Sequence, residues 1–178
     1  MSGILITGTN TGVGKSVVCG HLARYLLDHD WDVVTQKWVQ TGCQKQSEDL
    51  ALHDEICCDA AKPQPPDITE QRSPYVFERP ASPHLAAAQE NARVDPSTIL
   101  RAYQKLEEGH DVVLVEGAGG VHVPLTEDTL LVDLASQLNM CAVIVVDNVL
   151  GCINHSLLTL EALRAREIPV VGLVFNLT

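Results

Sequence analysis

The first half of the chain alternates short apolar runs with stretches whose apolar residues recur at helical spacing. The run GILITG (3–8) is apolar, β-branched and ended by glycine, which predicts a buried strand. Residues 15–28 carry valine, leucine and tyrosine on one helical face, and DVVTQKWV (32–39) predicts a second strand. The segment SEDLALHDEICC (47–58) opens with serine and two acids, which suit the N-terminus of a second helix.

The middle of the chain has a different character. Residues 62–74 carry four of the nine prolines, which predicts a loop long enough to have a functional role. The segment SPHLAAAQENA (82–92) begins with a Ser-Pro pair, and DPSTILRAYQKLEEG (95–109) begins with Asp-Pro and ends in glycine. A capping residue followed by proline at the first helical position predicts a helix in each segment.

From residue 111 onward the pattern becomes regular, with apolar runs that alternate with helical spacing. The expected elements are a strand at 111–117, a short helix at 130–138, a strand at 141–147, a helix at about 154–166 and a strand at 170–176. Strands that are apolar throughout and alternate with helices are typical of a parallel sheet covered on both faces. The sequence therefore predicts a single α/β domain over residues 1–178, with a mostly parallel sheet and helices on both faces.

Composition narrows the classes of function. No apolar run approaches the roughly 20 residues that a membrane span requires. The first residues lack the features of a secretory signal, so we expect a cytoplasmic protein. The net charge of −11 and the lack of a Lys/Arg cluster argue against nucleic acid as a partner, although local donors and a divalent cation can still hold a small anion. The six cysteines show no metal-ligand spacing and are interpreted as reduced packing residues.

The most specific motif is GTNTGVGKS (8–16), which lies between the first predicted strand and its helix. Small residues at this point let backbone N–H groups surround phosphate oxygens, while Lys15 reaches the β and γ phosphates and the Ser16 hydroxyl can bind Mg²⁺. Five residues separate Gly8 from Gly14, where the common pattern has four. The alternative is a glycine-rich turn with a solvent-facing lysine.

Three charged residues supplement this loop. Glu116, in VEGAGG, falls at the carboxyl end of a predicted buried strand, where parallel sheets present ligand groups, and its carboxylate can bind the same Mg²⁺. Asp49 lies in the first turn of a predicted helix, and Lys37 lies near the end of the second strand, on the same edge of the sheet as the loop. Each residue also has an ordinary alternative. Glu116 would be a solvated acid at the end of a strand, Asp49 a partner of the helix dipole, and Lys37 an exposed lysine.

A further segment, LGCINH (150–155), opens a helix after a strand. Free N–H groups at the start of a helix attract anions, although most such starts are simply capped or hydrated. The segment is therefore a candidate anion site.

Taken together, these motifs resemble the dethiobiotin synthetase family over all 178 residues. The resemblance is carried by TGTNTGVGKS, KWVQTG, SEDLAL, ERPASPH, VEGAGG with a following proline, and LGCINH. It implies an ATP-dependent enzyme with a P-loop fold that forms a homodimer and closes the ring of dethiobiotin from 7,8-diaminononanoate and CO₂ with Mg²⁺ and ATP.

The resemblance also implies a role for individual residues. Those expected to hold ATP are Gly12, Val13, Gly14, Lys15, Ser16, Val17, Glu116, Gly117, Ala118, Gly119 and Asn176. Those expected to bind Mg²⁺ are Ser16, Asp49 and Glu116. Those expected to contact the diamine are Lys37 and Thr41 and, across a dimer interface, Gly151, Cys152, Ile153 and Asn154. Lys37 and Lys15 are the expected catalytic groups.

The chain departs from the family pattern in three places. The chain has Gly12 where family members often have an acidic residue, and Trp38 where they usually have a proline. Family members generally continue beyond the last predicted strand with further nucleobase contacts, so we expect this chain to lack the usual C-terminal segment.

Three alternatives remain at this point: a cobyrinic acid amidating synthetase, a nucleotide-switched partitioning ATPase and a truncated relative without activity. The first predicts a glutaminase domain, and the second predicts an extra lysine early in the loop, where this chain has Thr9–Thr11.

Overall fold

The structure, a computed structural model, describes residues 3–58 and 66–177. The strands are β1 (Gly3–Gly8), β2 (Val33–Lys37), β3 (Val39–Thr41), β4 (Tyr75–Phe77), β5 (Val112–Gly120), β6 (Cys141–Asp147) and β7 (Val170–Asn176). The helices are α1 (Lys15–Leu27), α2 (Glu48–Cys57), α3 (Pro66–Arg72), α4 (Pro83–Gln89), α5 (Pro96–Gly109), α6 (Leu131–Gln137) and α7 (Cys152–Arg164). No helix within these two ranges is long and apolar enough to cross a membrane.

The main sheet has five strands in the order β2-β5-β1-β6-β7, and every neighbouring pair is parallel. Alternate residues of β5 belong to two different hydrophobic clusters, with Val113 and Val115 on one face and Val112 and Leu114 on the other. This period of two shows that both faces are buried. Helix α5 packs on the first face and helix α1 on the second, which confirms the predicted fold class.

The parallel arrangement brings the carboxyl ends of the strands to one edge of the sheet. Lys37 of β2 pairs in register with Glu116 of β5, and Gly8 of β1 pairs with Gly120 of β5. The phosphate loop leaves β1 at this same edge. The candidate residues therefore meet because the strand register brings them together.

The predicted second strand is wrong in one respect. It breaks at Trp38, and Val39–Thr41 form β3, which pairs in parallel with β4 as a separate two-stranded sheet. The Trp38 side chain is only 1% exposed, and its indole N–H donates to Gln36 Oε1 at 3.0 Å. The buried ring lies at the bend between β2 and β3.

The prediction of a loop over residues 62–74 is also wrong, because α3 lies within it; residues 62–65 are outside the described ranges. Proline is tolerated at the first position of a helix, where its missing N–H has no partner to lose. The helix is then anchored by Arg72, whose guanidinium donates to the backbone oxygen of Thr35 at 3.0 Å and pairs with Asp54 at 2.6 Å.

The predicted caps are correct in two of three cases. The hydroxyl of Ser47 accepts a hydrogen bond from the Leu50 N–H, and the carboxylate of Asp95 accepts one from the Ser97 N–H. Ser82 occupies the N-cap position of α4, but its hydroxyl makes no capping bond and lies 3.2 Å from His84 Nδ1.

Candidate active site

The loop between β1 and α1 has the backbone of a phosphate-binding loop. Gly12 and Gly14 have φ values of 76° and 92°, in the left-handed region that side-chain-bearing residues rarely adopt. Gly14 is the N-cap of α1, and no side chain makes a capping hydrogen bond there. The first N–H groups of α1 are therefore suited to binding an anion.

Lys15 follows directly and is buried in this loop. Its ammonium donates to the backbone oxygen of Asn10 at 2.9 Å, and the residue is only 6% exposed. Burial, reinforced by the nearby positive charge of Lys37, lowers the pKa of Lys15 to about 8. A bound phosphate would give this ammonium a negatively charged partner.

Three oxygen-bearing side chains meet beside the loop. The hydroxyl of Ser16 donates to Asp49 Oδ1 at 2.8 Å and lies 3.0 Å from Glu116 Oε1. These residues come from the start of α1, the first turn of α2 and the middle of β5, which continues to Gly120, beyond the predicted end of the strand. The structure thus brings together the three residues that the sequence proposed as metal ligands.

Lys37 completes this cluster from the end of β2. Its ammonium lies 2.6 Å from Asp49 Oδ2 and 2.8 Å from Glu116 Oε1, and it is 3.3 Å from the backbone oxygen of Gly117. It therefore stands between two carboxylates, and the alternative of an exposed surface lysine is wrong.

Burial and charge act in opposite directions on this cluster. Burial disfavours the charged form of Lys37, but the carboxylates of Glu116 and Asp49 outweigh it and raise the pKa of Lys37. Burial likewise disfavours ionised Glu116, but the hydrogen bond from His53 and the charge of Lys37 lower the pKa of Glu116 to about 2. Both groups are therefore ionised at neutral pH.

His53 is the residue of this cluster that the sequence reasoning missed. Its Nε2 lies 3.0 Å from Glu116 Oε2, and both side chains are almost completely buried. The available signal is its position four residues after Asp49 on α2, which puts both side chains on one helical face. A single histidine at that spacing gives no hint of its partner 63 residues away.

A cavity of about 710 Å³ opens above these groups. Its lining is contributed by the phosphate loop, β2, β3, α2, the segment before α4, and β5 with the loop after it. The residues are Thr11, Gly12, Gly14, Lys15, Ser16, Val17, Lys37, Val39, Gln40, Thr41, Asp49, Leu52, Pro80, Ala81, Ser82, Pro83, Glu116, Ala118, Gly119 and Val123. A volume of this size is in the range of small-molecule sites.

Some predicted site residues lie beside the cavity rather than on its wall. Val13 is buried beneath the loop, and the Asn176 side chain donates from Nδ2 to the backbone oxygen of Val13 at 3.2 Å. A methyl group at Gly14 would lie 2.5 Å from that same nitrogen. Asn176 is thus held against the phosphate loop.

The segment Gly151–Asn154 is not among the residues that line the cavity within the described part of this chain. Gly151 has a φ of 97° and is the N-cap of α7, without a side-chain capping bond. The apolar side chains beside it are exposed, with Leu150 fully accessible and Ile153 73% exposed. The segment therefore presents apolar side chains to solvent outside the cavity of its own chain.

Comparison with known proteins identifies relatives along nearly the whole chain. A family model described as an AAA domain matches residues 2–178. The chain is 43% identical to the ATP-dependent dethiobiotin synthetase BioD of Chlorobaculum tepidum over 173 residues, which are 97% of this chain and 72% of that protein. It is 40% identical to ATP-dependent dethiobiotin synthetase BioD 2 of Haemophilus influenzae over 178 residues, with coverage of 97% and 90%.

Solved structures with the same fold are more distant in sequence. The MinC:MinD cell division protein complex of Aquifex aeolicus aligns with a TM-score of 0.58 and 15% identity, covering all of this chain and 69% of that one. The kinase domain of the Escherichia coli tyrosine kinase ETK aligns with a TM-score of 0.55 and 13% identity, covering 98% and 67%. At such identities the likeness extends to the fold alone.

Proposed function

We infer that the chain, which belongs to the family of ATP-dependent dethiobiotin synthetases, forms dethiobiotin in the cavity above its phosphate loop and consumes ATP in doing so. It is an enzyme of biotin biosynthesis that takes small-molecule substrates. The observation that supports this site is the convergence at one place of polar side chains from four segments: Lys15, Ser16, Lys37, Asp49 and Glu116.

The substrate is 7,8-diaminononanoate. One amine adds to CO₂ and loses a proton, which gives a carbamate. A carbamate oxygen attacks the γ phosphorus of ATP, and ADP leaves. The second amine then attacks the carbonyl carbon of the carbamic-phosphoric anhydride and loses a proton, phosphate leaves, and the five-membered urea ring closes. Every step develops or moves negative charge on oxygen, so the protein has to supply position and charge compensation and needs no covalent nucleophile.

Two lysines supply the charge compensation. Lys15 emerges from the phosphate loop and Lys37 from the end of β2, and both line the cavity. A buried ammonium stabilises a developing oxyanion more strongly than an exposed one, because little water screens it. Thr41 lies on the wall of the cavity at the end of β3, which supports its proposed contact with the diamine.

The nucleotide binds along the phosphate loop and the last part of β5. Its phosphates contact the backbone of residues 12–17, and residues 117–119 approach from β5. Asn176 contacts the nucleobase, a role supported by its position against the loop.

The residues present fit a Mg²⁺ ion. Hard cations prefer carboxylate and hydroxyl oxygens, and Mg²⁺ is commonly held by one or two carboxylates together with phosphate and water. Asp49 and Glu116 each have an oxygen within hydrogen-bonding distance of the Ser16 hydroxyl, and a cationic nitrogen, that of Lys37, already lies between the two carboxylates. When bound, Mg²⁺ would neutralise charge on the phosphates of ATP.

Replacing a proposed metal ligand by its amide tests this site. Asp49→Asn and Glu116→Gln are each expected to raise the apparent KM for Mg²⁺ by about tenfold or more, because an amide oxygen carries no charge to offset a hard cation. Glu55→Gln is the control, because it removes an exposed carboxylate from α2, the helix that carries Asp49. It is expected to leave the KM for Mg²⁺ unchanged. A Mg²⁺ titration of Asp49→Asn or Glu116→Gln that matched wild type would remove that residue from the ligand set.

The activity itself is tested by product formation. The protein is incubated with 7,8-diaminononanoate, ¹³C-bicarbonate and MgATP, and the products are followed by mass spectrometry. We expect dethiobiotin that carries one ¹³C, with one ADP and one phosphate for each product molecule. ATP hydrolysis without labelled dethiobiotin would contradict the assignment and would favour a nucleotide-switched ATPase, the class that otherwise rests on fold likeness alone.

The start of α7 is proposed to bind the substrate carboxylate across the interface of a homodimer, in the cytoplasm. The diamine bound in the cavity of a second copy extends its carboxylate to this helix start, where it is held by Gly151, Cys152, Ile153 and Asn154. Two observations support this arrangement: the segment lies outside the cavity of its own chain, and it is flanked by exposed apolar side chains such as Leu150 and Ile153. Apolar exposure of this kind is typical of surfaces that become covered.

A charge placed at this helix start tests the carboxylate site. Asn154→Asp changes shape little but adds a negative charge to the end of α7 that attracts anions, so the KM for the diamine is expected to rise about two- to thirtyfold. The KM for ATP is expected to change much less, because the phosphates bind at α1.

Asn91→Asp is the matched control, because it adds the same charge at an exposed position after α4. Sedimentation velocity measured on the same proteins checks that each variant keeps the wild-type oligomeric state. An unchanged KM for the diamine, or an equal loss for ATP, would mean that the segment is an ordinary helix start and that the carboxylate binds elsewhere.

A further inference from the structure

His53 lies behind the catalytic cluster and outside the cavity wall. It is completely buried on α2, and it is not among the residues that line the cavity in the described part of the chain. Its contact with the cluster runs through Glu116, whose Oε2 lies 3.0 Å from His53 Nε2. A role for His53 in the chemistry must therefore act through this carboxylate.

The two oxygens of Glu116 have separate partners. Oε1 faces the Ser16 hydroxyl at 3.0 Å and the Lys37 ammonium at 2.8 Å, while Oε2 faces His53. An ionised carboxylate can only accept hydrogen bonds, so a bond at Oε2 requires the proton on Nε2 of the imidazole. The hydrogen bond from His53 fixes the rotation of the carboxylate and leaves Oε1 directed at the cavity.

The other ring nitrogen supports this orientation. Nδ1 of His53 is buried and has no hydrogen-bond partner among the described protein atoms. A second cavity, of about 30 Å³, lies against His53 and is also lined by Thr35, Asp54 and Arg72. That volume has room for a water molecule beside polar neighbours. A water there would donate to Nδ1 and leave the proton on Nε2 for Glu116.

We propose that His53 is a positioning residue, which donates from Nε2–H to Glu116 and holds Oε1 of that carboxylate in place for the metal. The inference deepens the proposed function, since it rests on Glu116 as a Mg²⁺ ligand. Hydrogen-bond partners of metal ligands typically contribute about 10- to 100-fold to metal affinity. The contribution of His53 is expected in that range, without any contact to substrate.

A purely structural histidine makes a different prediction from a positioning one. If His53 only fills space in the core, an apolar side chain of similar size should serve as well as glutamine. If its Nε2–H is required, glutamine should rescue function, because the amide nitrogen of glutamine can reach about the same point as Nε2. His53→Gln and His53→Leu therefore separate the two roles.

The experiment measures Mn²⁺ binding by electron paramagnetic resonance, with the protein saturated by a non-hydrolysable ATP analogue. We expect His53→Leu to weaken Mn²⁺ binding about 10- to 100-fold, and His53→Gln to stay within about threefold of wild type. Binding of the analogue without metal is expected to be unchanged in both. Equal Mn²⁺ affinities in the two variants would overturn the proposal.

A second measurement needs no variant and so does not depend on whether His53→Leu folds. Nitrogen-15 NMR of the histidine ring in the wild-type protein reports which nitrogen carries the proton, and we expect a proton on Nε2. An unprotonated Nε2 would overturn the proposal. Failure of the proposed function would be seen separately, as wild-type protein that makes no labelled dethiobiotin although the NMR result holds.

Discussion

Lys15→Ala is expected to lower kcat/KM for ATP by about a thousandfold or more, which corresponds to roughly 4 kcal/mol of transition-state stabilisation. The size of the effect follows from burial. The side chain is 6% exposed and comes from the loop whose backbone is shaped for phosphate, so its charge acts with little screening by water. Removing it takes away compensation for charge both on bound ATP and on the phosphoryl group during transfer.

The measurement is initial-rate kinetics at varied ATP, with thermal melting to show that the variant is folded. Lys105→Ala removes an exposed lysine of α5 and is the matched control, expected to behave as wild type. Activity of Lys15→Ala within about threefold of wild type, less than ~0.7 kcal/mol, would contradict the phosphate-loop assignment.

Most of the main sheet could be predicted, because central strands such as β1 and β6 are buried on both faces and therefore form continuous apolar runs. The bounds of β1, β6 and β7 coincide with such runs in the sequence. Strand β7, at the edge of the sheet, is apolar up to Asn176 although much of it is exposed. The short sheet could not be predicted in this way. Strands β3 and β4 have three residues each, too few to show a period, and Trp38 gives no local sign that the chain bends there.

Helix α3 was missed for a related reason. Three of the four prolines in residues 62–74 precede or open the helix, where proline is tolerated, so the proline count alone hid a helical stretch. What holds the helix is tertiary. Arg72 reaches Thr35 on β2 and Asp54 on α2, and neither partner is near it in sequence.

Most of the candidate site could be predicted, because parallel strands share one edge. Lys37 stands at the carboxyl end of β2 and pairs in register with Glu116 of β5, and the loop with Lys15 and Ser16 leaves β1, on the other side of β5. The pairing of Lys37 with both carboxylates could not be predicted, since it depends on side-chain reach and on the position of α2. The role of residues 151–154 stays a prediction, because it requires a second copy of the chain.

That pairing gives Lys37 two effects of opposite sign, and Lys37→Met separates them. The ammonium stands between Asp49 and Glu116, in the place where a divalent cation would bind the same oxygens. Turnover is expected to fall about a hundredfold or more, because a buried charge that compensates the carbamate and the phosphoryl group is lost. Mn²⁺ binding to the nucleotide complex is expected to become tighter by about tenfold, or ~1.4 kcal/mol, because the buried carboxylate of Glu116 and the partly buried carboxylate of Asp49 are left without this cation.

Melting temperature gives an independent reading of the same effect. Without metal, Lys37→Met leaves the buried carboxylate of Glu116 and the partly buried carboxylate of Asp49 without their ammonium, so its melting temperature is expected to lie below that of wild type. Saturating Mn²⁺ binds the native state and is expected to raise the melting temperature of Lys37→Met more than that of wild type. Lys37→Arg keeps the charge and is the control, with a Mn²⁺ affinity close to that of wild type. Weaker Mn²⁺ binding by Lys37→Met would contradict the idea that the lysine and the metal compete for Asp49 and Glu116, since loss of a competitor can only favour the cation that remains.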